Sequence, residues 1–371
     1  MESISIIIIL GILLSEILKR NQNNKTPFWL KINEFLGIDL RALAIFRICL
    51  GLTIIYDLVI RLKDLTEHYT DMGVMPRTVI ENTFPYNAFP YIYMITGDSI
   101  GTAILFSINI LLTILLILGL YTRFITPLVW YFILSLHYRN LLVCFGGDLF
   151  LHTLLFWGMF LPLGDKWSID SLLIKDESKQ NDSKQIVSFA TAAYIFQIVI
   201  LYVISTEFKY SQEWRKEGTA IYSALTYDLY LRPFGKFLLD LHLDNIFKYL
   251  TFYVYWLERA GLFLLFSPFH TNLIRLILIL LYVSMHIGIS LCMNVGFFGI
   301  VSIVAMIPLL PGLYIDKIYE KFKTQLEEIK TKYIYPYSNL IKVRFGGQAK
   351  ELDTVPLELK NILIFLVLIY T

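Results

Sequence analysis

Charge is scarce in this chain. Asp, Glu, Lys and Arg supply 17% of its 371 residues, against about 25% in an ordinary soluble domain, and the shortfall argues against a water-solvated fold. The net charge is only +2, with no basic stripe, so the electrostatic footprint of a nucleic-acid binder is missing. Cysteine is nearly absent as well. Cys49, Cys144 and Cys292 share no CxxC spacing, which leaves neither a metal knuckle nor a disulfide framework. The opening "MESISIIIILGILLSEILKR" is apolar from Ile4 to Leu14. It lacks the basic front end and small-residue cleavage site of a secretory signal, and reads as a retained short helix or membrane anchor. No internal repeat is visible.

What fills the space is apolar. Hydrophobic residues make up 56% and aromatics 15%, and the mean hydropathy is +0.61. Runs that can cross about 30 Å of hydrocarbon need on the order of 20 residues. Eight stretches read as spanning helices, roughly 41–60, 101–120, 123–137, 148–163, 186–206, 247–267, 273–292 and 297–311. The expectation is therefore all-α: a polytopic integral membrane helical bundle of about eight spanning helices plus interfacial or re-entrant segments. The interruptions Lys63–Gly97 and Phe208–Lys248 are the aromatic-rich candidates for such segments. "KDESKQNDSKQ" (Lys175–Gln185) reads as a solvated loop, and Ile315–Tyr333 as a charged helix with too few apolar positions to cross. The tail "NILIFLVLIYT" is too short to span alone, so it is either cut short or interfacial. Three parts follow: 1–35, a short apolar helix and polar linker; 36–312, the transmembrane domain; and 313–371, a cytoplasmic charged helix and apolar tail.

Basic residues orient the bundle. Lys19, Arg20, Lys25 and Lys31 precede the first span, Lys166, Lys175, Lys179 and Lys184 follow the fourth, and Lys317, Lys321, Lys323 and Lys330 follow the eighth. The short loop after the third span holds only Arg139. Two long outer loops are exceptions, with Arg61, Lys63 and Arg77 in one and Lys209, Arg215 and Lys216 in the other, and long loops constrain orientation weakly. Both termini are expected to be cytoplasmic in a multi-pass protein of the cell membrane.

With that orientation the costly groups gather toward the outer side. The third span exits at His137, and the fourth re-enters at Asp148 with His152 one turn deeper, because residues four apart share a helix face. Asp148 also suits a helix start, where a carboxylate meets the positive dipole end. The first span leaves near Asp57 and the fifth toward Lys209; His286 lies in the outer half of the seventh and Glu258 near the middle of the sixth. Charged groups facing lipid cost several kcal/mol, so such side chains belong in the seams between helices, and they are expected to converge in one outward-facing polar cavity assembled from five or six spans. His137, Arg139, Asp148, His152, Lys209, Glu258 and His286 are the candidate catalytic residues. His137, Asp148, His152 and His286 are scattered over three helices without a ligand motif, and no metal site is read from them.

Four segments together resemble the horizontally transferred transmembrane (HTTM) family: "LRALAIFRICLGLTIIYDLVIRLKDLTEHYTDMGVMPR", "HYRNLLVCFGGDLFLHTLLFWGMFLPLGDKWSID", "EWRKEGTAIYSAL" and "HIGISLCMNVGFFGIVSIVAMIPLLP". That family takes in the membrane part of vitamin K-dependent gamma-carboxylase and its bacterial relatives, and the resemblance covers roughly residues 36–312. It implies a polytopic enzyme working on the outer side on a secreted or membrane-tethered peptide, with a vitamin K or other quinone-type lipid as redox cofactor. It also implies a role for Lys209, in a "K…W…G" pattern with Trp214 and Gly218, as partner to a substrate carboxylate or anionic intermediate. Another branch matures a secreted toxin peptide without carboxylation.

The carboxylase is held to use a lysine as initiating base in the segment matching His137–Asp170. Here no lysine occurs between Arg123 and Asp165, and arginine is a poor base. His137 or His152 would have to take the proton. Three readings stay open: a carboxylase-like enzyme, a non-catalytic maturation or assembly factor for a secreted peptide, and a transporter relaying protons through Glu258 and His286. Each polar group also has a structural alternative: an Arg139–Asp148 ion pair, histidines bonded to backbone carbonyls, a snorkelling Lys209, and a Glu258 satisfied by Arg47, Arg259 or Lys209.

Overall fold

The computed structural model describes residues 27–83, 91–173, 184–267 and 269–329, together with the short strands Arg344–Phe345 and Gln348–Ala349. The apolar start at Ile4–Leu14, the polar loop at 175–183 and the tail from Asn361 lie outside the described residues. Packing divides the chain into two compact units, Met1–Gly312 and Leu313–Thr371.

The first unit is all-α. Its longer helices are α1 (Pro27–Leu36), α2 (Leu40–Leu62), α3 (Ser99–Leu118), α4 (Thr122–Arg139), α5 (Gly146–Gly158), α6 (Phe189–Glu207), α7 (Asp244–Ala260), α8 (Thr271–Cys292) and α9 (Phe298–Met306). Among its described residues, β pairing consists of Ile38–Asp39 against Gln185–Ile186 and an isolated antiparallel bridge between Leu231 and Met293. In the second unit, the helix α10 (Gly312–Ile329) is followed by an antiparallel pair joining Arg344–Phe345 to Gln348–Ala349.

Local chemistry sets the helix ends. Asp39 caps α2 by accepting from the Arg41 amide at 2.8 Å, and Asp98 caps α3 through the Gly101 amide at 2.7 Å. Ser188 and Thr191 cap α6 reciprocally. α3 ends on Gly119 at φ 71°, a left-handed residue where any Cβ would also strike the Arg47 guanidinium. Asp170 then closes the corner, accepting from the Tyr121 and Thr122 amides at 2.6 and 2.8 Å.

α2 is the central element. Leu43, Phe46, Leu50, Ile54 and Leu58 recur at helical spacing and are all fully buried. α3 packs antiparallel along it: Gly51 of α2 faces Ile117, and Gly119 at the end of α3 sits on Arg47. α4 and α5 form the next hairpin, α9 lies against both α2 and α5, and α6, α7 and α8 complete the unit. The outer faces are apolar too. On α3, Ile100, Ile104, Ile108, Leu111, Ile114 and Leu118 form an exposed stripe, and Leu273, Ile277, Leu280, Ile287 and Leu291 form another on α8.

All eight expected stretches are helical, but among the described residues only α2, α3, α6 and α8 are long and apolar enough to cross a membrane. A fifth counts only if Phe298–Leu309 is joined to the helix after it. The reason is geometric and compositional. α5 has 13 residues, about 20 Å at 1.5 Å per residue, against the roughly 30 Å of a hydrocarbon core. α9 is shorter still, α4 carries Arg123 and Arg139 at its two ends, and α7 carries Asp244, Lys248, Glu258 and Arg259.

Candidate functional site

The α4–α5 hairpin brings His137 near the end of α4 beside His152, which lies one turn after Asp148 on α5. His137 Nδ1 and His152 Nε2 are 2.7 Å apart, so one of the two carries the hydrogen between them. The other ring nitrogen of His137, Nε2, lies 3.2 Å from Asp148 Oδ1 and 3.4 Å from Asp57 Oδ2. α2 supplies both Asp57 and Arg61, four apart and hence on one face. The Arg61 guanidinium donates from Nε to both Asp57 oxygens at 2.8 and 2.9 Å, and reaches Asp148 Oδ1 at 2.5 Å and the Tyr69 hydroxyl at 2.7 Å. Asp148 also accepts from the Phe145 amide at 2.6 Å, which caps α5.

Asp57, Arg61, Tyr69, His137 and Asp148 are all buried, whereas His152 is half-buried. Two carboxylates therefore share one guanidinium, and the balance falls on the histidine pair. One ligand atom from each of Asp57, His137 and Asp148 falls within 4.8 Å of the others, an arrangement of donors that can hold a cation. Nearby, burial and then the Asp148 charge push the Cys144 thiol up to about 12. Its Sγ points at the His137 and Asn140 carbonyls, so it is no nucleophile. Burial likewise pushes the Tyr69 phenol up to about 12, with Arg61 opposing.

Arg139 does not join this group. Its guanidinium reaches the Met75 carbonyl at 2.5 Å and Asp71 Oδ1 at 3.3 Å, in the segment linking α2 to α3. Arg77 clasps the same Asp71, with Nη2 on Oδ2 at 2.7 Å. Hydrogen bonding from Arg77, reinforced by Arg139, holds the Asp71 carboxyl below the usual carboxylate range. The reason for the divergence is helical: residues two apart point to different sides, so Arg139 faces away from His137. The expected Arg139–Asp148 pair is replaced by two others, Arg139–Asp71 and Arg61–Asp148.

Lys209, Glu258 and His286 occupy a second seam, between α6, α7 and α8. Lys209, just past the end of α6, pairs with Glu258, which also accepts from Ser205 at 2.8 Å. Of the expected partners for Glu258, Lys209 is the one found; Arg259 pairs with Glu207 instead. The Lys209 ammonium stands 5.3 Å from the Trp214 ring, and Gly218 at φ 75° packs on Lys248 and Phe252. His286 Nε2 meets the Tyr202 hydroxyl at 2.7 Å, while its Nδ1 is buried without a partner. Phe298, at the start of α9, stands between the two groups: its ring packs on His286 at 5.5 Å, and its backbone lies against Gly147. Among the described residues no hydrogen bond or ion pair links the two seams.

The seven candidates from sequence therefore do not meet in one cavity as expected: His137, Asp148 and His152 converge, Lys209 and Glu258 pair separately with His286 nearby, and Arg139 stands apart, because each faces a different helix seam. Asp57 marks only the exit of the first span in the sequence, and Arg61 and Tyr69 are not among the candidates, yet all three belong to the central group. The available signal was the Asp57–Arg61 pair, opposite charges four apart on an otherwise apolar helix. Comparison with family models, curated proteins and solved structures finds no match to this chain.

Proposed function

We propose that the chain is a multi-pass cell-membrane protein of the HTTM type, with up to eight crossings and both termini cytoplasmic. In this reading it modifies a secreted or membrane-tethered peptide at an outward-facing polar centre. Apolar stripes on the outer faces of α3 and α8 support insertion, since a water-facing helix would carry polar residues there. Helices too short to span alone, such as α5, fit if they are buried among their neighbours or lie in a thinned region.

The observation that carries the functional reading is the charge count around the histidine pair. Asp57 and Asp148 contribute two negative charges and Arg61 one positive, leaving a buried centre one proton short of neutrality. A proton taken by this group can rest on the His137–His152 pair, beside both carboxylates. That is the capacity a carboxylase-like enzyme needs to take the initiating proton in place of the family's lysine. The Lys209–Glu258 seam, beyond Phe298, would hold the substrate's carboxylate or a quinone-type lipid.

The test is genetic and analytical. The gene is deleted in its own host and restored as wild type or as His152→Gln. Mass spectrometry of exported and membrane peptides should show a product that wild type restores and His152→Gln does not, with both proteins inserted equally. Identical peptide spectra for the two would refute the catalytic role. The pairing of both carboxylates with Arg61 favours a second reading, a non-catalytic factor that cradles the peptide; in that case Lys209→Arg and His152→Gln would both leave maturation intact.

A further inference from the structure

We propose that Asp57, His137 and Asp148 bind one divalent transition-metal ion, with zinc the reference case. This goes beyond the peptide-modifying reading and does not require it.

The argument starts from what each side chain has left after its other contacts. Asp57 Oδ1 is held by Arg61 Nε at 2.8 Å. Asp148 Oδ2 is held by the Phe145 amide at 2.6 Å. His137 Nδ1 faces His152 Nε2 at 2.7 Å. The far atom of every group is thus anchored by a neighbour, the support that metal ligands characteristically have. The near atoms Asp57 Oδ2 and Asp148 Oδ1 flank His137 Nε2 at 3.4 and 3.2 Å, and one ligand atom from each of the three residues falls within 4.8 Å of the others.

The spacing suits a small ion. Zinc bonds to nitrogen and carboxylate oxygen run about 2.0–2.2 Å, so neighbouring ligands in a tetrahedron stand about 3.3 Å apart. His137 Nε2 lies 3.2 Å from Asp148 Oδ1 and 3.4 Å from Asp57 Oδ2. Arg61 touches the same two oxygens, at 2.5 and 2.9 Å, but each has a second lone pair for a cation. Three ligands from α2, α4 and α5 leave a coordination position for a fourth. Two carboxylates, one guanidinium and a divalent ion sum to one positive charge, so the fourth ligand is an anion, of which a peptide carboxylate is one class. A proton on His137 Nε2 is the competing occupant of the same point.

The full chain, purified in detergent and stripped with a chelator, is titrated with Zn²⁺ against a chromophoric competitor. Cobalt(II) is added in parallel to report coordination by its visible spectrum. The expected result is one tight zinc per wild-type chain, absent in Asp57→Asn and Asp148→Asn, with tetrahedral cobalt bands in wild type. His152→Gln, which touches the ligand His137 and not the ion, should keep the stoichiometry and weaken affinity about 10–100-fold. That variant decides the matter if Asp57→Asn and Asp148→Asn do not fold. Wild type binding no more zinc than folded carboxylate variants, or His152→Gln binding as tightly as wild type, would overturn the proposal.

Discussion

Arg61 is the residue whose loss should be felt most. It makes four hydrogen bonds to three buried partners: both oxygens of Asp57, one of Asp148 and the hydroxyl of Tyr69. Arg61→Met keeps much of the stem and removes the charge, leaving two carboxylates that are 3% and 2% exposed facing His137 with no fixed cation. Each charge-assisted hydrogen bond is worth about 1.5–3 kcal/mol, and removing one partner of a buried pair costs about 3–5 kcal/mol. With two ionic partners lost, the upper part of that range is expected, a large share of a typical stability of about 5–15 kcal/mol. Arg77→Met supplies the contrast, since that pair is one-third exposed and exposed pairs contribute about 0–1 kcal/mol. The assay is reversible denaturant unfolding of both variants in detergent, followed by helix content. The double variant Asp57→Asn, Arg61→Met should recover part of the loss, because it removes one stranded charge. A cost for Arg61→Met no larger than that for Arg77→Met would show that the guanidinium is not holding the carboxylates as described.

Two further outcomes follow from groups outside the helices. Asp71 has its folded pKa depressed by Arg77 and Arg139, so its stabilisation is present above the ordinary carboxylate value of about 3.9 and is lost as pH falls through the folded value. Asp71→Asn should therefore lower stability at neutral pH and converge with wild type in acid; parallel curves from pH 7 to pH 3 would contradict the clamp. The Cys144 thiol, pushed up to about 12 by burial, should resist maleimide at pH 7.5 in a protein with Cys49→Ser and Cys292→Ser. It should label on unfolding, and rapid labelling of the folded protein would place the loop differently.

Much of this protein was settled by its sequence. Low charge and long apolar runs dictate helices, because a backbone segment without polar neighbours must satisfy its own hydrogen bonds, and all eight expected stretches are helical. The pairing of His137 with His152 was also legible: a short connection makes antiparallel neighbours, and Asp148 and His152 share a face. Arg139 could have been excluded by the same rule, being two residues from His137. Tertiary structure alone decided the rest. Asp57 and Arg61 look like an ordinary pair at the end of a helix until α4 and α5 close over them, because opposite charges four apart occur on exposed and buried faces alike. The split between the histidine centre and the Lys209–Glu258 seam likewise comes from packing: Phe298 of α9 sets its ring on His286 and its backbone against Gly147. Periodicity tells which side of a helix turns inward; it carries no information about which of several inward faces will meet, since that is chosen by the fit of whole helices against one another.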